Sequence, residues 1–113
     1  MEQNNNLDSW DKFQGTNWLK ASEIKEKQKF MVFNVIEEIV EEKHKVQLEI
    51  ESNKIKYLFE LNKTNIGILQ ELGVKSPKEM MGYFIEFKIV KVQNPETKRE
   101  VDGIRIKDIM KPL

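Results

Sequence analysis

Apolar residues recur at every second position over much of this chain, and a period of two predicts strands. The clearest run is His44 to Glu51, which places Val46, Leu48 and Ile50 on one face and Lys45, Gln47, Glu49 and Glu51 on the other. Ser52-Asn53 supplies a turn. Ile55, Tyr57, Phe59 and Leu61 then alternate with Lys54, Lys56, Leu58 and Glu60. The two runs together predict a hairpin with one buried and one wet face. Upstream, Phe30 to Glu42 predicts a longer first strand. Its first half is apolar on both sides and its second half alternates less cleanly, as suits a bent strand shared between two sides of a small barrel. Helix competes for this segment, but the β-branched and aromatic density before Glu37 favours strand.

The period then changes once. Asn62 or Thr64 can cap a helix from Ile66 to Leu72, and Gly73 fits the left-handed position that follows a helix end. Ile66, Leu69 and Leu72 form its expected buried stripe. Ser76-Pro77-Lys78-Glu79 predicts a further helical turn with proline in its first turn. From Tyr83 to Val92 alternation returns, with Tyr83, Ile85, Phe87 and Ile89 on one face. A loop from Gln93 to Glu100 leads to a last strand, Val101 to Ile109. Three strands, a helix and two strands are the order of an OB-type five-stranded barrel, so the expected fold class is mainly β with a short helix between strands three and four.

Composition narrows this picture. A chain of 113 residues is the size of one domain and buries roughly two thirds of its unfolded surface. Residues 1–15 are rich in Asn, Gln and Asp and predict a flexible tail, with the single domain in residues 16–113. Trp10 and Phe13 interrupt the polarity of that tail, whereas Trp18 to Ile24 runs straight into the domain and is expected to dock on it. There is no cysteine, which removes disulfides, thiolate metal sites and thiol nucleophiles together. No stretch approaches the ~20 apolar residues of a membrane span, and no basic segment followed by an apolar run opens the chain. A soluble cytoplasmic protein with no membrane partner is the expectation. The 19 basic and 19 acidic residues cancel, which argues against a strong nonspecific polyanion binder but leaves room for a local basic stripe.

Four short segments carry a family resemblance: Trp18-Leu19-Lys20-Ala21, Leu61-Asn62-Lys63-Thr64-Asn65, Gly82, and Gly103-Ile104-Arg105-Ile106. Across about residues 18 to 107 the chain resembles a group of small phage and archaeal-virus-type proteins with an OB-like layout. Members of that group usually carry a tryptophan just before the glycine, where Met80-Met81 stand here. The resemblance implies DNA transactions such as replication or recombination, foremost single-strand binding, and implies no active site.

Candidate chemistry is sparse. His44, the only histidine, lies among Glu41, Glu42, Lys43 and Lys45, and one histidine beside glutamates reads as a turn residue rather than a metal centre. There is no glycine-rich phosphate loop or nucleophile elbow. No catalytic residue, metal or cofactor is expected, and the chain reads as a binding module rather than an enzyme. Asn62, Lys63 and Thr64 either cap the helix or contact a phosphate at its N-terminus. In OB folds the ligand crosses strands two and three between the first and last hairpin loops. Here that geometry nominates Lys43, Lys45, Lys56, Lys91, Lys98, Arg99, Arg105 and Lys107 for the nucleic-acid backbone. Trp18, Phe33, Tyr57 and Tyr83 are the candidates for base stacking, although Tyr57 shares the phase assigned to the core. Any solvated strand presents such a charged face, so a protein-interaction or self-association module, with the aromatic tail as its docking element, is the rival reading.

Overall fold

The computed structural model describes residues 17–112. The expected tail, with Trp10 and Phe13, lies outside the described residues. Five strands form one antiparallel sheet: β1 (Lys29–Val40), β2 (Lys43–Ser52), β3 (Ile55–Glu60), β4 (Phe84–Gln93) and β5 (Glu100–Met110). Their spatial order is β3-β2-β1-β4-β5. One helix, α1 (Lys63–Glu71), lies between β3 and β4 in sequence. All elements appear in the expected order, with ends displaced by at most three residues.

The alternation works as predicted for β2 and β3. Leu48 pairs with Phe59 and Ile50 with Tyr57, and all four are buried. The reverse turn between them falls at Asn53 and Lys54, both at positive φ, one residue later than expected. In β1 the alternation slips. Val32 faces Ile50 and Asn34 faces Glu49, so Phe33 is an extra residue that bulges the strand. The inward phase therefore runs Phe30, Val32, then Val35, which explains why the sequence looks apolar on both faces there. A second slip in β5 leaves Lys107 unpaired between Ile106 and Asp108, and the inward phase runs Ile104, Ile106, then Ile109.

Bulges bend strands, and this sheet curls strongly. In a flat sheet β3 and β4 would lie three strand spacings apart, roughly 14 Å. Yet the rings of Phe59 on β3 and Phe87 on β4 meet edge to face at 4.9 Å. The Phe30 ring lies 5.2 Å from that of Phe87 and 5.7 Å from that of Tyr57, both edge to face. These rings, with Leu48, Ile50, Ile85 and Ile106, fill the inside of the curl.

The sheet is not closed. Among the described residues β3 and β5 are not hydrogen-bonded to each other, and two other devices occupy the seam. Asn17 to Leu19 runs parallel to β3: Leu58 N–H donates to the Asn17 carbonyl at 2.9 Å and Leu19 N–H to the Leu58 carbonyl at 3.0 Å. The short 3-10 turn that follows, Ala21–Glu23, lies against β5. From the other side, the buried Asn65 of α1 donates to the Ile104 carbonyl at 3.1 Å and accepts from the Ile106 N–H at 2.9 Å. The expected docking of the Trp18 to Ile24 segment is thus present, and its backbone serves as a partial edge strand.

Helix α1 corrects one expectation. Its buried positions are Asn65 and Leu69, with Ile68 packed alongside, while Ile66 and Leu72 are exposed. The hydrogen bonds of Asn65 to β5 set the rotation of the helix, and the apolar stripe read from spacing is turned aside. Asn62 is the N-cap, its Oδ1 accepting from Asn65 N–H at 2.8 Å, and Gly73 takes φ +94° after the helix end. Gly82, at φ +84°, turns the chain into β4. Its N–H donates to the Val32 carbonyl at 2.7 Å, and Val32 N–H donates to the Tyr83 carbonyl at 2.8 Å. No helix among the described residues is long and apolar enough to cross a membrane.

Candidate functional site

The curl gives the sheet a filled inner face and an outer face open to solvent. Cross-strand partners share a face, so register places each side chain. Outward on β2 stand Lys45, Gln47, Glu49 and Glu51. Opposite them on β3 stand Lys56, Leu58 and Glu60, and on β1 stand Met31, Asn34, Ile36 and Glu38. Trp18 bridges Leu58 and so joins this face at its β3 edge, with 43% of its surface exposed. The bulge residue Phe33 is half-buried, and the Lys56 ammonium lies over its ring at 5.3 Å. Met31 pairs with Phe84 and Phe84 with Met110, which carries the apolar strip across to β4 and β5.

Of the four stacking candidates, Trp18 and Phe33 therefore lie on one open face. Tyr57 and Tyr83 do not. Both are buried, Tyr57 against Phe30, and burial, with a lesser contribution from the charge of Glu23, raises the Tyr57 phenol above its ordinary value. Neither ring is open to a base, contrary to the expectation, because both are packed into the core.

The eight basic candidates do not form one stripe. Lys56 stands beside Phe33, and Lys45 shares its face opposite Glu38. Lys43 lies at the tip of the β1–β2 hairpin, and Lys98 and Arg99 at the tip of the β4–β5 hairpin. Strands β1 and β4 pair only near their starts, through Lys29–Glu86, Phe30–Ile85 and Met31–Phe84. They leave that crossing in opposite directions, so the two tips belong to separate arms. Lys91 shares the side of Ile89 rather than the outer face, and it pairs with Asp102, whose carboxylate raises its pKa by hydrogen bond and charge. Arg105 faces outward opposite Lys88, its Nη1 donating to the Ile104 carbonyl at 3.1 Å above Gly103. Lys107 lies 3.4 Å from Glu86, and Glu86 also accepts from Lys29. The hydrogen bond from Lys29 leads in holding the Glu86 carboxyl below its usual range, against some desolvation. Asn62 acts as the helix cap, with Lys63 and Thr64 exposed in the first turn.

Three further lysines gather where sequence reasoning did not look. Lys25, Lys27 and Lys29 frame the turn before β1, which Gln28 ties to β2 by donating to the Ser52 hydroxyl at 3.0 Å. This turn, with Met31, Glu51 and Phe84, lines an open groove of about 600 Å³ at the rim of the outer face. The signal was present as lysine at alternate positions leading into the first strand.

His44 lies 3.5 Å from Glu37 on the exposed β1–β2 arm. Among the described residues no group of three or more His, Asp or Glu side chains is arranged to hold a metal ion. The outer face thus carries two aromatic rings, hydrogen-bonded amide and carboxylate side chains, and lysines at its rim. Comparison of the chain with known protein families, with characterised proteins and with solved structures finds no match.

Proposed function

We propose that this protein is a non-catalytic module that binds single-stranded nucleic acid, DNA foremost, across the outer face of β1, β2 and β3, and that its sheet is an OB-type barrel left open at the β3–β5 seam. The strand order with a helix between the third and fourth strands supports the fold assignment, since OB barrels are partly open. The resemblance to small phage and archaeal-virus-type proteins points the same way. One observation carries the functional reading: Trp18 and Phe33 are placed outward on the face such folds use for ligand. Base stacking on exposed rings is sequence-tolerant and contributes about 1–3 kcal/mol per base. The Lys56–Phe33 contact is a surface cation–π pair of about 0.5–1 kcal/mol. A base can therefore displace the ammonium from the ring onto the adjoining phosphate.

Fluorescence-polarisation titration of labelled oligonucleotides and a matched duplex, at two salt concentrations, tests this. The expectation is single-strand binding that weakens with salt and exceeds duplex binding. Trp18→Ala and Phe33→Ala should each weaken it by about 1–3 kcal/mol, while Tyr83→Phe should not change it. Undiminished affinity in both alanine variants would sink the assignment of the face. The rival reading, a protein-interaction module, draws on Ile39 and Val40, 65% and 40% exposed on the β1–β2 arm. It predicts a mass that rises with concentration and falls in Ile39→Ser.

A further inference from the structure

The middle of the outer face is an unusual surface for a polyanion. Between Trp18 at the β3 edge and Phe33 on β1, the row of side chains runs Leu58, Glu49, Asn34. Carboxylates accept hydrogen bonds and never donate when ionised. The Asn34 side-chain amide donates to Glu49 Oε1 at 2.6 Å, and the Gln47 amide turns its nitrogen to Glu60 Oε1 at 3.4 Å. Each amide is thereby oriented and has given one of its two N–H donors to a carboxylate, which itself only accepts. The surface between the rings consequently offers more acceptors than donors.

Two consequences follow for a bound strand. Phosphates are repelled from Glu49 in the middle of the row and drawn to the lysines at its margins, Lys56 on β3 and Lys25 and Lys27 in the groove at the rim. Bases therefore face the sheet. A base facing a row of acceptors is favoured when its edge carries donors. Cytosine and adenine bring an exocyclic amine, and guanine brings an amine beside a ring N–H; thymine and uracil bring one N–H flanked by two carbonyls, which the carboxylates repel.

Resting on the single-strand reading above, we infer that this face selects amino-bearing bases over thymine and uracil, and that Glu49, held by Asn34, is the residue that reads them. Glutamate accepting from an exocyclic amine is an established mode of base readout.

The test compares oligo-dC with oligo-dT of equal length at neutral pH, in the native protein and in Glu49→Gln. The two strands carry the same charge, so backbone attraction cancels in the ratio. The native protein should prefer oligo-dC by about tenfold, the effect of one charged base contact. In Glu49→Gln the ratio should fall toward unity, because the amide offers a donor as well as an acceptor, while binding of oligo-dT holds or rises as a like charge is removed. Equal binding of both strands by the native protein overturns the selectivity and leaves the single-strand reading standing. A preference that persists unchanged in folded Glu49→Gln removes Glu49 as the reader. Binding of neither strand overturns both.

Discussion

The Asn65 side chain donates to one backbone group of β5 and accepts from another, so a single amide does locally what a neighbouring strand would do. It is 1% exposed, and a buried donor or acceptor left without a partner costs about 1–3 kcal/mol. Asn65→Ala should therefore destabilise the fold by roughly that amount, read as a fall of several degrees in Tm. An unchanged Tm would mean that water or a shift of α1 satisfies Ile104 and Ile106 instead. Leu69→Ala on the same helix tests packing alone and gives the scale for comparison. The residue scale also accounts for Gly103. A Cβ there would lie 3.1 Å from Val92 and 3.2 Å from the Arg105 guanidinium, so its absence lets Arg105 fold back over the strand.

At the scale of elements, the two hairpins at the front of the sheet turn through two residues each. Both residues of each turn have positive φ: Glu41 and Glu42 at 49° and 67°, Asn53 and Lys54 at 53° and 67°. Such turns match the twist of the strands but favour Asn and Gly, because the left-handed region costs other residues roughly 1–2 kcal/mol. The Glu41–Glu42 turn has neither. Replacing the pair by Glu41→Asn with Glu42→Gly should stabilise the protein by roughly 1 kcal/mol or more, seen as a higher Tm. A lower Tm would show that the arm takes another turn geometry. The two bulges belong to this scale as well. They take Phe33 and Lys107 out of the alternation and shift the inward phase by one residue beyond each, and the first of them adds an aromatic ring to the outer face.

For the whole molecule, the decisive feature is the seam between β3 and β5, filled from one side by Asn17 to Leu19 and from the other by Asn65. Leu19 is 8% exposed and belongs to the core. Leu19→Ala should cost roughly 2–5 kcal/mol if the segment is part of the cooperative fold, with a single unfolding transition in chemical denaturation. A cost below about 1 kcal/mol would mark the segment as a loose flap, and Trp18 would then lack the rigid backing that stacking needs.

The period-two alternation of Val46 to Ile50 and Ile55 to Leu61, the caps Asn62 and Gly73, and the order of elements were legible in the sequence. Each depends on residues close in the chain, where a face or a turn is decided by local geometry. Trp18 and Phe33 were legible as aromatics, but the face they share was not. Nor was the loss of Tyr57 and Tyr83 to the core, the pairing of Lys91 with Asp102, or the grouping of Lys25, Lys27 and Lys29 with Phe84. These depend on where bulges shift the register and on how far the sheet curls, and both follow from contacts between residues distant in sequence. By itself the sequence determined the strands, the helix and the absence of thiol chemistry. Only the tertiary structure decided that the sheet stays open, what fills its seam, and which side chains look outward, because one extra residue in a strand reverses every side chain beyond it.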